Sequence, residues 1–160
     1  MTWTEGLWSS PDATAAEYET QNLLFGLVRM LKPQVVIETG CHRGYTTTAL
    51  RWAIKENGCG QFFTCDTDKR YAELAGGIHC SGRTLIESHS QIDFCFIDSG
   101  DPPYRIEEIN VLVPRLRSGG LMCLHDVCRD STAVYEHALK LGWPHLIFRS
   151  VRGLAVFQKP

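Results

Sequence analysis

The sequence VVIETGCHRGYTTTAL, residues 35–50, contains the clearest structural pattern of this chain. Its first five residues form a short β-branched run, which is typical of a strand buried on both faces of a sheet. Gly40 and Gly44 frame a turn, and residues 45–57 continue with helical character as far as Gly58. The stretch therefore predicts a strand, a glycine turn and a helix in direct succession.

The same alternation continues on both sides of this stretch. Helices are predicted at 13–31, 69–75, 84–89, 106–116 and 131–142, strands at 61–66, 77–81, 92–98 and 120–126, and a hairpin at 145–150 and 153–159. This pattern predicts an α/β fold, a Rossmann-like doubly wound, mostly parallel sheet with helices on both faces and a C-terminal antiparallel hairpin. Residues 1–160 then form a single domain, with residues 1–12 as an N-terminal arm.

The net charge, the apolar runs and the cysteines of the chain indicate which kinds of partner and which compartment to expect. The formal net charge of −2 gives no basic field for nucleic acid, and no apolar run has the length of a membrane span. The N-terminus lacks a basic start and an apolar signal core, which favours a cytoplasmic protein. The seven cysteines contain no C-x-x-C pair, so we expect reduced core thiols and no zinc site.

In a parallel sheet the ligand binds beyond the carboxyl ends of the strands, and several predicted strands end there in an acid. A dinucleotide fingerprint needs a glycine where this chain has His42, and the carboxylate of Glu38 would repel a phosphate. Glu38 instead suits a cation such as a sulfonium, and Asp66 suits two ribose hydroxyls. The two acids together describe a positively charged nucleoside without phosphate. The open alternative is that Glu38 only stabilises the N-terminus of the following helix.

The first stretch, together with FIDS at 96–99 and SGGLMCLHDV at 118–127, resembles class I S-adenosylmethionine-dependent methyltransferases of the small O-methyltransferase kind. The order and spacing of these motifs extend over nearly the whole chain. The resemblance implies S-adenosylmethionine as cofactor. The cofactor-binding residues that it implies are Glu38, Gly40, His42, Gly44 and Thr46 around the methionine portion, Asp66 and Thr67 at the ribose and adenine, Gly82 and Arg83 at the adenine edge, and Asp98 with Ser99.

The same resemblance implies methyl transfer to a hydroxyl group of a small molecule, a glycan or a natural product. Catechol-type relatives hold a divalent cation at the positions of Asp98, His125 and Asp126, which here would be Mg²⁺ or Mn²⁺. This chain has a histidine in place of the first acid after strand five and no lysine after Asp98. Without a metal, His125 would be the general base, oriented by Asp98 or Asp126.

Two other functions stay open at this point. The DPPY sequence, residues 101–104, is typical of methyltransferases that act on amino groups, but here it begins three residues after the strand tip at Asp98. In the O-methyltransferase interpretation, Asp101 and Tyr104 belong to the rim of the acceptor site. The second alternative is a nucleoside-binding module without catalysis. The acceptor would be covered by residues 1–12, which include Trp3 and Trp8, or by a neighbouring subunit of a homo-oligomer.

Overall fold

The structure is a computed structural model, which describes residues 8–129 and 131–160. Within these ranges, seven strands and six helices alternate. They are α1 (Tyr18–Leu31), β1 (Val35–Thr39), α2 (Tyr45–Asn57), β2 (Gln61–Asp66), α3 (Lys69–Ala75), β3 (Ile78–His79), α4 (Gly82–Glu87), β4 (Ile92–Ile97), α5 (Pro102–Leu112), β5 (Leu116–His125), α6 (Thr132–Leu139), β6 (His145–Phe148) and β7 (Leu154–Gln158).

The strands form one sheet in the order β3-β2-β1-β4-β5-β7-β6. The first five strands in this order are parallel, and β7 runs antiparallel between β5 and β6. The predicted fold class, a Rossmann-like sheet with a C-terminal antiparallel hairpin, is confirmed. The direction of winding reverses between β1 and β4, so their carboxyl ends lie side by side at the switch point where such folds bind ligands.

Apolar cores cover both faces of the sheet. Strand β4 shows how one strand serves both, because side chains alternate between the faces of a strand. Phe94 and Phe96 pack with Leu24, Val28 and Leu50 of helices α1 and α2. Cys95 and Ile97 of β4 pack in the opposite core, which helices α4, α5 and α6 cover. Both cores hold the switch point in place.

Helices α1 and α5 begin furthest from the residues predicted for them. Helix α1 begins at Tyr18 rather than at residue 13, because the Asp12 carboxylate accepts the backbone N–H groups of Thr14 and Ala15 and so stabilises a turn there. Helix α5 begins at Pro102 rather than at residue 106. Proline suits the first turn of a helix, where its missing N–H costs no hydrogen bond. The DPPY sequence is therefore the start of a helix.

The N-terminal arm predicted at residues 1–12 lies mostly outside the described residues, and Trp3 lies outside them as well. Residues 8–12 are irregular, and the Ser9 carbonyl accepts the N–H of Tyr18 at the start of α1. Among residues 8–129 and 131–160, no helix has both the length and the apolar character needed to cross a bilayer. The cysteines are free thiols, and Cys65, Cys95 and Cys123 are buried in the cores.

Candidate functional site

A cavity of about 810 Å³ opens at the carboxyl ends of the central strands. Its volume lies in the range of small-molecule and cofactor sites. The predicted site residues that line it are Gly40, His42, Asp66, Thr67, Gly82, Asp98, Ser99 and Asp126. Asp101 and Tyr104 also line it, and Tyr104 is 64% exposed at its edge. One cavity thus brings together residues from the tips of four strands.

The other predicted site residues lie around this cavity. Thr46 lines a small adjoining recess. Glu38 and His125 are buried, and Gly44 is the N-cap of α2. Arg83 points to solvent and pairs with Glu87 of the same helix at 3.1 Å. The predicted contact between Arg83 and the adenine edge therefore has no counterpart in the position of this side chain.

Gly40 allows the tips of β1 and β4 to touch. Its φ is +80°, and a Cβ atom there would lie 2.6 Å from the backbone oxygen of Asp98. No other residue fits such a contact without a shift of the backbone, and the left-handed conformation itself favours glycine. The chain thereby places the glycine turn directly against Asp98.

Asp66 is held in a fixed orientation at the tip of β2. Its Oδ2 accepts the N–H of His42 and its Oδ1 accepts the N–H of Asp68, each at 2.9 Å. His42 adopts a left-handed φ of +43°, and its ring packs on that of Tyr71. Because a carboxylate has about four acceptor positions, Asp66 keeps acceptor capacity for hydroxyl groups in the cavity. This arrangement suits the predicted ribose contact.

Glu38 has one carboxylate oxygen that is satisfied and one that is not. Its Oε2 accepts the hydroxyls of Thr47 and Thr64, whereas Oε1 is buried without a hydrogen-bond partner. Burial raises the pKa of Glu38 to about 7, although the two threonine hydrogen bonds partly offset this rise. A buried acceptor without a partner is costly, and a donor or cation brought by a ligand would relieve that cost.

Glu108 is a buried site residue that the sequence analysis missed. It lies on α5, lines the cavity, and accepts the hydroxyls of Thr39 at 2.8 Å and Ser99 at 2.6 Å. Its carboxylate packs so closely on Gly82 that a Cβ atom there would lie 2.1 Å from Oε1. Burial raises the pKa of Glu108. A glutamate within a helical pattern usually faces solvent, so no local pattern around Glu108 indicates that it is buried.

His125 lies fully buried between two carboxylates. Its Nδ1 is 3.2 Å from Asp98 Oδ1, and its Nε2 is 3.2 Å from Glu17 Oε2. Burial by itself lowers the pKa of His125, but the surrounding carboxylates, Asp98 first among them, raise it to about 10. The same contact lowers the pKa of Glu17 to about 2 against the opposing effect of burial. An imidazolium cannot accept a proton, so the geometry does not support His125 as the general base.

Two arginines complete the cluster at this end of the cavity. Arg105 Nη2 lies 3.3 Å from Asp98 Oδ1 and 3.4 Å from Asp126 Oδ2, and Nη1 donates to the His125 carbonyl and the Ser131 hydroxyl at 3.0 Å each. Arg152 contacts both oxygens of Asp126. Three carboxylates and three cationic side chains therefore form one largely buried network of ion pairs. We define the charged cluster as Glu17, Asp98, Arg105, His125, Asp126 and Arg152.

The three residues predicted to hold a divalent cation all belong to the charged cluster. Asp98, His125 and Asp126 offer donor atoms that lie within 4.8 Å of one another, which is close enough for a shared ion. However, the two carboxylates are already paired with the guanidinium groups of Arg105 and Arg152, and both ring nitrogens of His125 face carboxylates. A metal-binding histidine must be neutral and must offer a free nitrogen. The residues present therefore do not fit a divalent cation.

Comparison with known proteins agrees with this architecture. A family model described as "Methyltransferase domain" matches residues 37–127. No curated protein sequence matches the chain.

Solved structures share the fold at low sequence identity. The SAH-bound methyltransferase PaMTH1 of Podospora anserina is 14% identical with a TM-score of 0.76, and the match covers 95% of this chain and 83% of that chain. An O-methyltransferase of Bacillus cereus in complex with SAH is 15% identical with a TM-score of 0.74, over 93% and 84% of the two chains. The O-methyltransferase TomG of Streptomyces achromogenes, in complex with SAM, is 17% identical with a TM-score of 0.74, over 94% and 83%. At these identities the likeness establishes the common fold.

Proposed function

The chain belongs to the methyltransferase domain family, and on that premise we propose that it transfers a methyl group from S-adenosylmethionine to a hydroxyl group of a small molecule. The observation that carries the proposal is the position of Asp66. Its carboxylate is fixed by two backbone amides and lines the same cavity as Asp98, so a ribose acceptor and a polar group for the methyl acceptor face one space.

The cofactor end of the cavity suits a cationic nucleoside. Asp66 would accept the ribose hydroxyls, with Thr67 beside the adenine and Gly82 with Ser99 along its edge. The turn at Gly40, His42, Gly44 and Thr46 would surround the methionine portion. The unpartnered oxygen of Glu38 would balance the positive charge of the amino group or sulfonium, which gives this buried atom the partner that it lacks. The complexes with SAH and SAM named above support this choice of ligand.

The acceptor end of the cavity suits a hydroxyl group. Among the three carboxylates of the charged cluster, Asp98 has the most exposed side chain, at 15%, and it lines the cavity. It would accept a hydrogen bond from the acceptor hydroxyl. His125, which Asp126 contacts at 3.6 Å, would hold Asp98 in place. Asp101 and Tyr104 would form the rim. The O-methyltransferases among the structural relatives support oxygen over nitrogen as the methylated atom.

Methyl transfer depends mainly on how the protein positions the two reactants, and it needs no covalent bond to the protein. When bound, S-adenosylmethionine would supply an electrophilic methyl group to a lone pair of the acceptor oxygen, and the electron pair of the broken S–CH₃ bond would stay on sulfur. The hydroxyl proton passes to Asp98 and from there to solvent. The residues present thus bind, orient and accept a proton, and proximity supplies the main part of the rate enhancement.

Ligand binding tests the cofactor first. S-Adenosylhomocysteine at about 100 times its Kd should stabilise the protein by about 2.7 kcal/mol, which raises Tm by roughly 5 to 11 °C. NAD and ATP, measured as controls at the same concentration, should leave Tm unchanged because the acids at the site repel phosphate. Stabilisation by NAD but not by S-adenosylhomocysteine would end the proposal.

Methyl transfer then tests the acceptor class. S-adenosylmethionine labelled in its methyl group is offered with phenols, sugar alcohols and heteroaromatic amines in parallel. We expect label on oxygen, and we expect Asp98→Asn to remove turnover while S-adenosylhomocysteine still binds. Label on nitrogen that disappears in Tyr104→Ala would favour the amine-methylating alternative. Cofactor binding without transfer to any of the three classes would favour the non-catalytic module.

A further inference from the structure

The guanidinium of Arg105 occupies the position that a shared cation would need. It reaches from the first turns of α5 toward the tips of β4 and β5, and its Nη2 lies between Asp98 and Asp126 at 3.3 and 3.4 Å from their oxygens. Arg105 as a whole is only 6% exposed. A single nitrogen that contacts both carboxylates in a buried site holds them together as a bridging ion would.

The remaining nitrogens of Arg105 are also used. Nη1 donates to the His125 carbonyl and to the Ser131 hydroxyl at 3.0 Å each, and Nε donates to the carbonyls of Ser99 and Gly100. These contacts come from the loop after β4, from the end of β5 and from the N-cap residue of α6. A planar guanidinium with its donors fully engaged is fixed in orientation, and its positive charge is permanent.

A second guanidinium makes the same place still less suited to a metal ion. Arg152 donates to both oxygens of Asp126, so that carboxylate faces two arginines. Asp98 and Asp126 therefore carry two negative charges against two permanent positive charges. A divalent cation would have to displace hydrogen-bonded arginines and would meet their charge at contact distance, where repulsion in a partly buried site is strong.

We propose that Arg105 takes the place of a divalent cation in this site, so that the protein positions its acceptor without a metal. Arg105 acts as a positioning residue: it holds Asp98 in the orientation in which that carboxylate faces the cavity. This role rests on the proposed function in so far as Asp98 receives the acceptor hydroxyl, whereas the exclusion of the metal does not depend on it.

Manganese binding tests the role of Arg105 without any need for turnover. The free Mn²⁺ signal in electron paramagnetic resonance is followed as purified protein is added. Wild type should leave the signal unchanged, and added EDTA or Mn²⁺ should alter neither Tm nor the affinity for S-adenosylhomocysteine. Arg105→Ala should bind one Mn²⁺ per chain, at least about tenfold more tightly than wild type, because it removes a unit charge at contact distance. Adding Asp98→Asn to that variant should abolish the binding.

Each outcome decides the question. One Mn²⁺ bound by wild type and lost in Asp98→Asn would overturn the proposal, and so would a folded Arg105→Ala protein that binds none. Circular dichroism shows whether the variant folds, and Arg105→Gln, which keeps bulk and polar contacts without the charge, replaces it if it does not. If neither folds, the wild-type titration decides alone. Failure of the proposed function would show as an absent response to S-adenosylhomocysteine, which is a separate readout.

Discussion

Replacing Glu38 with glutamine should stabilise the protein at alkaline pH and weaken its binding of the cofactor. Glu38 is 1% exposed, and burial raises its pKa from 4.5 to about 7. Because the folded-state pKa lies above the unfolded value, the protonated carboxyl is favoured in the folded protein. The folded protein therefore loses stability as pH rises from 4.5 through about 7, and above that range the loss is complete. Glutamine does not ionise and avoids this loss.

The size of the effect follows from the displacement of the pKa. From 4.5 to about 7, at about 1.36 kcal/mol for each pH unit, the ionised carboxyl costs the wild type about 3 kcal/mol above pH 7. For a domain of this size that corresponds to roughly 6 to 12 °C in Tm. Glutamine brings its own cost of about 1 to 3 kcal/mol if its amide N–H groups lie unpaired where Oε1 was. That cost does not depend on pH, so only the pH dependence of the difference is diagnostic.

Urea unfolding of both proteins at about pH 5 and about pH 8.5 measures this dependence. The difference in free energy of unfolding should move by roughly 2.5 kcal/mol in favour of Glu38→Gln between the two pH values. Titration of His125 is common to both proteins and cancels in the difference. Glu73→Gln, whose side chain is 68% exposed, serves as a control and should show no such change. Parallel curves for wild type and Glu38→Gln would refute a raised pKa at Glu38.

Cofactor binding supplies the second half of this prediction. If Oε1 of Glu38 pairs with a charged group of the cofactor, its loss should weaken S-adenosylmethionine binding by about 1.5 to 3 kcal/mol, which calorimetry resolves as a tenfold loss or more. A Glu38→Gln protein that is stabilised at alkaline pH but binds the cofactor as wild type does would show that this oxygen faces no part of the ligand.

Three further substitutions test the geometry with matched controls. In urea unfolding, Gly40→Ala should lower the free energy of unfolding by several kcal/mol more than Gly58→Ala. Both glycines have positive φ, but only at Gly40 would the new Cβ atom lie 2.6 Å from a backbone oxygen. Equal losses of stability would contradict this close approach. Asp66→Asn should weaken S-adenosylhomocysteine binding, measured by calorimetry, at least about tenfold. The control is Asp93→Asn, which should leave this binding unchanged, because the Asp93 carboxylate also accepts two backbone N–H groups but lies at the other end of the sheet. Glu17→Gln should lower the free energy of unfolding by about 3 kcal/mol at neutral pH, because the lowered pKa of Glu17 stabilises the folded protein above pH 4.5. This stabilisation is lost as pH falls toward about 2. A cost of the substitution that persists in acid would indicate lost packing instead.

The elements that the sequence predicted correctly are those with local causes. The β-branched run of β1, the glycines of the turn and the apolar run of β4 each determine their conformation within a few residues, and Asp66 and Asp98 follow from strand ends alone. The fold class could therefore be predicted, and with it the edge of the sheet where the cavity lies. The predicted start of α5 at residue 106 is wrong, because Pro102 and Pro103 are as typical of a loop as of the first turn of a helix, where they lie.

The charged cluster could not be predicted in the same way, because its members lie far apart in the chain. Glu17 meets His125 across 108 positions and Arg152 across 135. From the sequence alone, each of these residues is expected to face solvent, because a glutamate before a helix or an arginine in a loop is usually exposed. What turns them inward is the packing of α1 and of the loop between β6 and β7 over the tip of β5. Position alone made His125 a candidate base, whereas its carboxylate neighbours make it a cation.

The two ends of the cavity differ in what they leave unsatisfied, and this difference bears on the acceptor. At the cofactor end, Asp66 faces the cavity with acceptor capacity to spare, and Oε1 of the buried Glu38 has no hydrogen-bond partner among the described residues. At the other end, Arg105, His125 and Arg152 are each paired with carboxylates, so none of these three side chains would offer the acceptor a free cation or a neutral imidazole. The group that faces it is a carboxylate, Asp98, and carboxylates as a class are weaker bases than imidazole. Such a site suits a hydroxyl that gives up its proton readily. Phenolic hydroxyls, whose pKa is near 10 as in tyrosine, meet this condition better than the alcohols of sugars do.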